Sequence, residues 1–310
     1  MKLLVFNDAH IRASTPRSRI DDYPSALWDK FRQISQIIEE RNVDIILNGG
    51  DLFDTPDPST SVVNSYLQLF TFWNIPIYSI VGSHDKFGYN NATLYRSGLG
   101  TLIAAGVVTL LDDTKHIGYN TQIAGVSHSY DLDEAPETDY YRKKIHKDEY
   151  LIQICHGMVV NGPWGFGKHT NVKDIKTEAD FLICAHYHPG FGSVQVGHTT
   201  VINIGSLGRT ENVNRKFSPG VLFINTDVPG EESWEFIPLN VPDDVFITKE
   251  VEEEKVYEDI SVFIKLLKER SNNFECGNLK ELITTIGQES NYSKEIIEKA
   301  IEYIEHKHKP

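Results

Sequence analysis

Residues 44–54 read Asp44-Ile45-Ile46-Leu47-Asn48-Gly49-Gly50-Asp51-Leu52-Phe53-Asp54, an apolar run that stops at two glycines and a carboxylate. The run has strand length and leaves no room for a long helix. Glycine before Asp51 lets the backbone approach a bound ion closely, and the two carboxylate oxygens of Asp51 can bridge two cations. Taken alone, the segment reads equally well as a strand-to-helix turn with Asp51 as a local cap.

The same punctuation recurs along the chain. Leu3–Phe6 runs into Asp8-x-His10, Ile77–Val81 into Gly82-Ser83-His84-Asp85, Leu151–Ile154 into His156-Gly157, and Phe181–Cys184 into His186-Tyr187-His188. His84 could give or take a proton in general acid–base chemistry. His186 and His188 share one side of an extended segment, because side chains alternate with period two. Each pair alone has a plain reading as a turn Asp, a surface His or a core pair. Five histidines and two aspartates, all at strand ends, point together to metal.

Helical patterns separate the early strands. Ser25 is expected to cap a helix with Leu27, Phe31, Ile34 and Ile38 on its apolar face, and Ser59 a second with Val62, Tyr66, Leu69 and Trp73. This β-α-β-α-β order predicts a largely parallel sheet whose ligand site lies beyond the carboxyl ends of its strands. After Gly190 come short strands with turns: Gly197-His198, Val201–Ile204, Val221–Ile224 and Trp234–Ile237. They predict a second sheet packed on the first. From about Pro242 an acidic run, Glu250-Val251-Glu252-Glu253-Glu254, leads into apolar sets at helical spacing: Ile260 to Leu267, Leu279 to Ile286, and Ile296 to Ile304. The expected organisation is a catalytic domain over 1–241 and an acidic linker with a helical module over 242–310.

Composition bounds the function. Three scattered cysteines, Cys155, Cys184 and Cys276, make no disulfide framework and fit a reducing, cytoplasmic compartment. No apolar run reaches the 18 or so residues of a membrane span, and the N-terminal stretch reads as a buried strand, not a signal peptide. A net charge of −14 argues against sequence-independent DNA binding by the whole surface. A nucleic-acid substrate stays open, since metal ions or a partner subunit can supply the positive field.

The ordered set Asp8-x-His10, Gly50-Asp51-x-x-Asp54, Gly82-Ser83-His84-Asp85, His156 and His186-x-His188 resembles the calcineurin-like metallophosphoesterase superfamily over roughly residues 1–240, counting Gly205-Ser206-Leu207 as its closing loop. The resemblance implies an α/β sandwich of two packed mixed β-sheets flanked by helices. It also implies two divalent metal ions, manganese being compatible with oxygen and imidazole donors. Asp8, His10, Asp51 and His188 would hold the first; Asp51, His156 and His186 the second, with Asp51 bridging. His84, oriented by Asp85, would serve the leaving oxygen. Ser83 stands where that family has an Asn whose amide oxygen ligates the second metal, so that site is expected to be weaker.

Thr55-Pro56 after the second motif differs from the Arg-Gly of protein phosphatases. Gly50 to Ser59, Asn74 to Gly82 and Gly205-Ser206-Leu207-Gly208-Arg209 are similar to the SbcD-type DNA-repair nuclease branch, and the length is similar to compact phage-encoded members. That branch implies a DNA substrate, a homodimer, and an SbcC-type coiled-coil ATPase as partner; Arg209 of the closing loop and Lys168 of the loop 162–169 are the expected substrate contacts. The helices past residue 255 would dock the ATPase or pack on the catalytic body. In the loop Gly162–His169, Trp164 and Phe166 would stack on unpaired bases, or the loop is a glycine-rich surface turn. A small phosphodiester substrate and a metal-impaired binding subunit are the rival readings.

Overall fold

The structure is a computed structural model. It describes residues 1–165, 167–211, 217–228, 230–242 and 245–247, with 284, 297 and 301 beyond. The chain divides into two compact units, 1–246 and 247–310. The acidic run and the helical sets read past Pro242 lie outside the described residues, apart from Ile297 and Ile301, both helical.

The first unit holds two six-stranded sheets. One contains β1 (Lys2–Phe6), β2 (Ile45–Asn48), β3 (Ile77–Ser79), β4 (Thr109–Leu110), β13 (Gly220–Asn225) and β14 (Trp234–Pro238), in the order β14-β13-β1-β2-β3-β4. The other contains β5 (Lys115–Gly118), β6 (Thr121–Val126), β7 (Tyr150–Cys155), β10 (Phe181–Cys184), β11 (Gly192–Val196) and β12 (Thr199–Asn203), in the order β11-β12-β10-β7-β6-β5. A two-strand pair, β8 (Val159–Val160) with β9 (Thr170–Asn171), flanks the second sheet's loops. Four α-helices belong to the first half of the chain: α1 (Tyr23–Arg41), α2 (Thr60–Trp73), α3 (Gly98–Ala104) and the single turn α4 (Pro136–Asp139).

Alternation along β1 builds two cores at once. Leu4 and Phe6 pack with Leu27 and Phe31 of α1 and Phe70 of α2. Leu3 and Val5 pack against Ile152, Ile154 and Ile183 of the opposite sheet. Both faces of the strand are buried, which is why it reads as a continuous apolar run.

The two sheets are not divided along the sequence as the patterns suggest. The strands before His156 and His186 belong to the second sheet, running parallel with β6 and β12. The late strands are shared: β11 and β12 join the second sheet, while β13 and β14 extend the first, β13 antiparallel to β1 and β14 antiparallel to β13. Gly197-His198 is the turn between β11 and β12. Strands buried on both faces are equally apolar whichever sheet they enter, so the pattern could not assign them.

The helices start and face slightly differently from the reading. α1 begins at Tyr23 behind Asp22, with Pro24 in its first turn, where a missing N–H costs nothing. Ser25 donates to the Asp22 carboxylate at 2.6 Å and is not the cap. α2 does follow Ser59, but its buried face is Val63, Tyr66, Phe70 and Trp73, one position on from Val62 and Leu69.

Candidate metal centre

The parallel strands of both sheets end at one edge of the sandwich. β1 delivers Asp8 and His10, β2 delivers Asp51, and β3 leads to Ser83 and His84; β7 delivers His156, and β10 delivers His186 and His188. Asp8 (φ 48°), His10 (φ 46°), Asp51 (φ 48°) and His186 (φ 71°) all have left-handed backbone, which costs energy for residues other than glycine and gathers at functional sites. The loops are stitched to each other to hold it. Asp8 N–H donates to Gly50 O, His10 N–H to Asp51 O, and Gly208 N–H to Asp8 O. Glycine is required at 82, where a Cβ would lie 2.0 Å from Asp51 Oδ1.

Three donor groups converge: Asp8 with His10 and His188; Asp51 with His156 and His186; and His10 with Asp51 and His84, the donor atoms of each group lying within 4.8 Å of one another. His10 Nε2 and His188 Nε2 stand 3.0 Å apart, and His186 Nδ1 and His156 Nε2 3.2 Å. Asp51 Oδ2 is 3.2 Å from His156 Nε2 and 4.0 Å from His10 Nε2, between the two sets. Asp8, Asp51, His10 and His156 are almost completely buried.

Buried charges interact strongly in this low-dielectric pocket. Burial pushes the Asp8 carboxyl up to about 6, with Asp51 adding to the rise. Burial works against ionised Asp51 too, but the charge and hydrogen bond of His156 outweigh it and hold Asp51 well below the usual carboxylate range. The same pairing lifts His156 to about 9 against the opposing effect of burial. Burial lowers His186 to about 4 and His188 to about 3. Close nitrogen pairs beside two buried carboxylates fit a divalent cation: 3.0–3.2 Å is near the spacing of adjacent ligands on an ion with bonds of about 2.1 Å.

The expected contact between Asp85 and His84 does not form. Asp85 is buried and accepts three backbone N–H groups, from Asp51 (2.8 Å), Leu52 (3.1 Å) and Gly82 (2.8 Å). His84 is exposed, and its Nδ1–H donates instead to the Asp54 carbonyl at 2.7 Å. A carbonyl only accepts, so the bond fixes the proton on Nδ1 and leaves Nε2 for the site. Asp54 also lies 3.5 Å from His10 Nδ1 and pairs with Arg12 at 2.9 Å, so it supports both rings. Ser83 Oγ donates to Asp51 Oδ2 at 3.2 Å.

The two residues read as substrate contacts are otherwise engaged. Lys168 is paired with Glu134 and reaches the Tyr130 carbonyl at 3.1 Å. Arg209 is buried, its guanidinium directed at the carbonyls of Phe217 and Pro242 and lying 5.6 Å from the Phe246 ring. It braces the closing loop, because an arginine with burial this complete has little surface to offer a phosphate. Trp164 packs edge-on against Tyr187, between the two histidines of the last motif. Two residues escaped the reading. Lys30, wholly buried on α1, donates to the Leu207 carbonyl at 2.5 Å and ties the closing loop down; nothing in a helical pattern marks it. His128 lies beside His156 and His186. It follows the apolar strand β6, the same signature that marked the other clusters.

The profile of the calcineurin-like phosphoesterase family matches residues 1–190, and the chain belongs to that family of metal-dependent hydrolases. It is 34% identical over 197 residues to the DNA double-strand break repair protein Mre11 of Thermoplasma acidophilum, covering 59% of this chain and 50% of the relative. It is 22% identical over 284 residues to the protein of the same name from Sulfolobus acidocaldarius, covering 88% and 72%. The chain thus spans half the length of the first of these relatives. Among solved structures, a dimetal phosphatase from Danio rerio is similar with a TM-score of 0.47 and 10% identity, over 72% of this chain and 91% of that one. No helix among the described residues is long and apolar enough to cross a membrane.

Proposed function

We propose that the chain is a two-metal nuclease that hydrolyses phosphodiesters in DNA, acting in double-strand break repair with a coiled-coil ATPase partner. The observation that carries the reading is the double donor set: two imidazole–carboxylate groups joined at Asp51. Asp8, His10, Asp51 and His188 would hold one ion; Asp51, His156 and His186 the other. Two divalent ions held there, manganese being compatible with these donors, would neutralise the phosphate and acidify water for attack. The substrate class rests on the relatives named for DNA break repair.

The chain's own residues supply the rest. His84, oriented by the Asp54 carbonyl, presents Nε2 beside the His10 ring, 4.8 Å between centroids. A protonated His84 donates to the leaving oxygen. Asp85 keeps the Gly82 and Asp51 loops in register, so it positions without touching substrate. Exposed Tyr89, its ring centroid 5.5 Å from that of His128, offers a ring face to unpaired bases. A homodimer and docking through residues past 242 complete the reading.

A rate comparison tests the substrate class. With manganese present, a DNA oligonucleotide should be cleaved at least about tenfold faster, by kcat/KM, than a small aryl phosphodiester. Rapid turnover of the small ester with none of DNA would contradict the nuclease and favour a nucleotide-scale substrate.

A further inference from the structure

Around the second donor set the protein supplies three groups, Asp51, His156 and His186, and the fourth direction is thinly furnished. Ser83 comes from the β3 loop, but its hydroxyl is short and already donates to Asp51 Oδ2. His128 approaches from the loop after β6. Its ring centroid is 5.7 Å from that of His186 and 6.1 Å from that of His156, against 4.9 Å between those two rings themselves. Its Nδ1 is buried and has no hydrogen-bond partner. A buried ring nitrogen left unpaired is costly, so its retention asks for a reason.

The loop bearing His128 is fixed to the loop bearing Ser83. His128 N–H donates to the Val81 carbonyl at 2.8 Å, Ser127 Oγ accepts from Val81 N–H at 3.0 Å, and the Lys86 ammonium donates to the His128 carbonyl. The ring is therefore held to the same edge from which a ligand at position 83 would reach. Its nitrogens stand outside the tight donor groups, and the closest ring is 0.8 Å further off than the 4.9 Å of the His156–His186 pair (5.7 against 4.9 Å).

We infer that His128 is an additional protein donor of the second metal site, compensating through its ring nitrogen for the serine at position 83. The inference rests on the two-metal reading of the site. An imidazole is a good neutral donor for the same divalent ions that carboxylates attract, and a donor on a loop pinned by backbone bonds arrives with little further ordering cost.

Manganese titration by calorimetry on the full chain tests it, using wild type, His128→Ala, His128→Phe, Ser83→Asn and the double variant His128→Ala with Ser83→Asn. Thermal unfolding of the metal-free proteins checks that each is folded, and His128→Phe keeps the ring's volume if the alanine variant is not. The wild type should bind two ions. Both His128 variants should weaken the looser site about 10- to 100-fold and leave the tighter one unchanged. Asn at position 83 should restore most of that loss. Unchanged binding of both ions by the His128 variants would overturn the role of His128 alone, as would a loss that Ser83→Asn fails to restore. Fewer than two ions on the wild type would overturn the two-metal reading and this inference with it.

Discussion

At the scale of single residues, the centre shows how a carboxylate can matter without meeting a ligand. Asp85 holds three backbone N–H groups that would otherwise be buried and unpaired. Burial, with the nearby charge of Asp51, pushes its carboxyl up to about 6. Asp85→Ala should lower stability by about 3 kcal/mol or more, read as a fall in melting temperature; a variant that melts like wild type would show those donors are satisfied elsewhere. The metal donors carry a pH signature. In the metal-free chain His156 is pushed up to about 9, burial opposing the charge but Asp51 prevailing. Below that pH the ring is protonated, and an ion must expel the proton to bind. Manganese affinity at this site should therefore climb up to about tenfold per pH unit between roughly pH 7 and 9, and level off above. Titrations at several pH values with constant affinity would argue that His156 is not a ligand.

At the scale of elements, the centre depends on short loops leaving strands at fixed spacing. Gly82 sits where a side chain would collide with Asp51, 2.0 Å from Oδ1 and 2.3 Å from its amide nitrogen. Gly82→Ala should displace Asp51 and weaken manganese binding by at least about tenfold; wild-type affinity in that variant would mean the loops yield more easily than their hydrogen bonds suggest. These loops were also the legible part of the sequence. Apolar runs ending at Asp8, Asp51, His84, His156 and His186 gave the strand ends, and each lies on the common edge. The division into sheets was hidden, because Leu151–Ile154 and Phe181–Cys184 are buried on both faces just as Leu3–Phe6 is. Contacts across long sequence distances were hidden too. Lys30 to Leu207, and His84 to Asp54 in preference to its neighbour Asp85, are settled by packing that no local pattern records.

At the scale of the whole molecule, an acidic chain with a net charge of −14 would meet the proposed polyanionic substrate only through the candidate metal centre or a partner. Among the described residues, Arg12 is committed to Asp54, Lys86 to Asn91 and the His128 carbonyl, and Lys168 to Glu134. Few phosphate charges are then neutralised by the described residues. Duplex binding by the isolated chain should be weak, and should fall only about tenfold between 50 and 200 mM salt, as for one or two phosphate contacts. A fall of a thousandfold would reveal a basic surface unaccounted for by these pairs. The proposed catalytic chemistry needs one measurement above the others: manganese-dependent degradation of end-labelled linear duplex DNA by the wild type beside His84→Ala. The account predicts cleavage by the wild type, and in the variant a rate at least about a hundredfold lower with both ions still bound. Equal cleavage by the two proteins would contradict the role given to His84, and no cleavage of any DNA by the wild type, even with a coiled-coil ATPase of the proposed kind supplied, would contradict the nuclease.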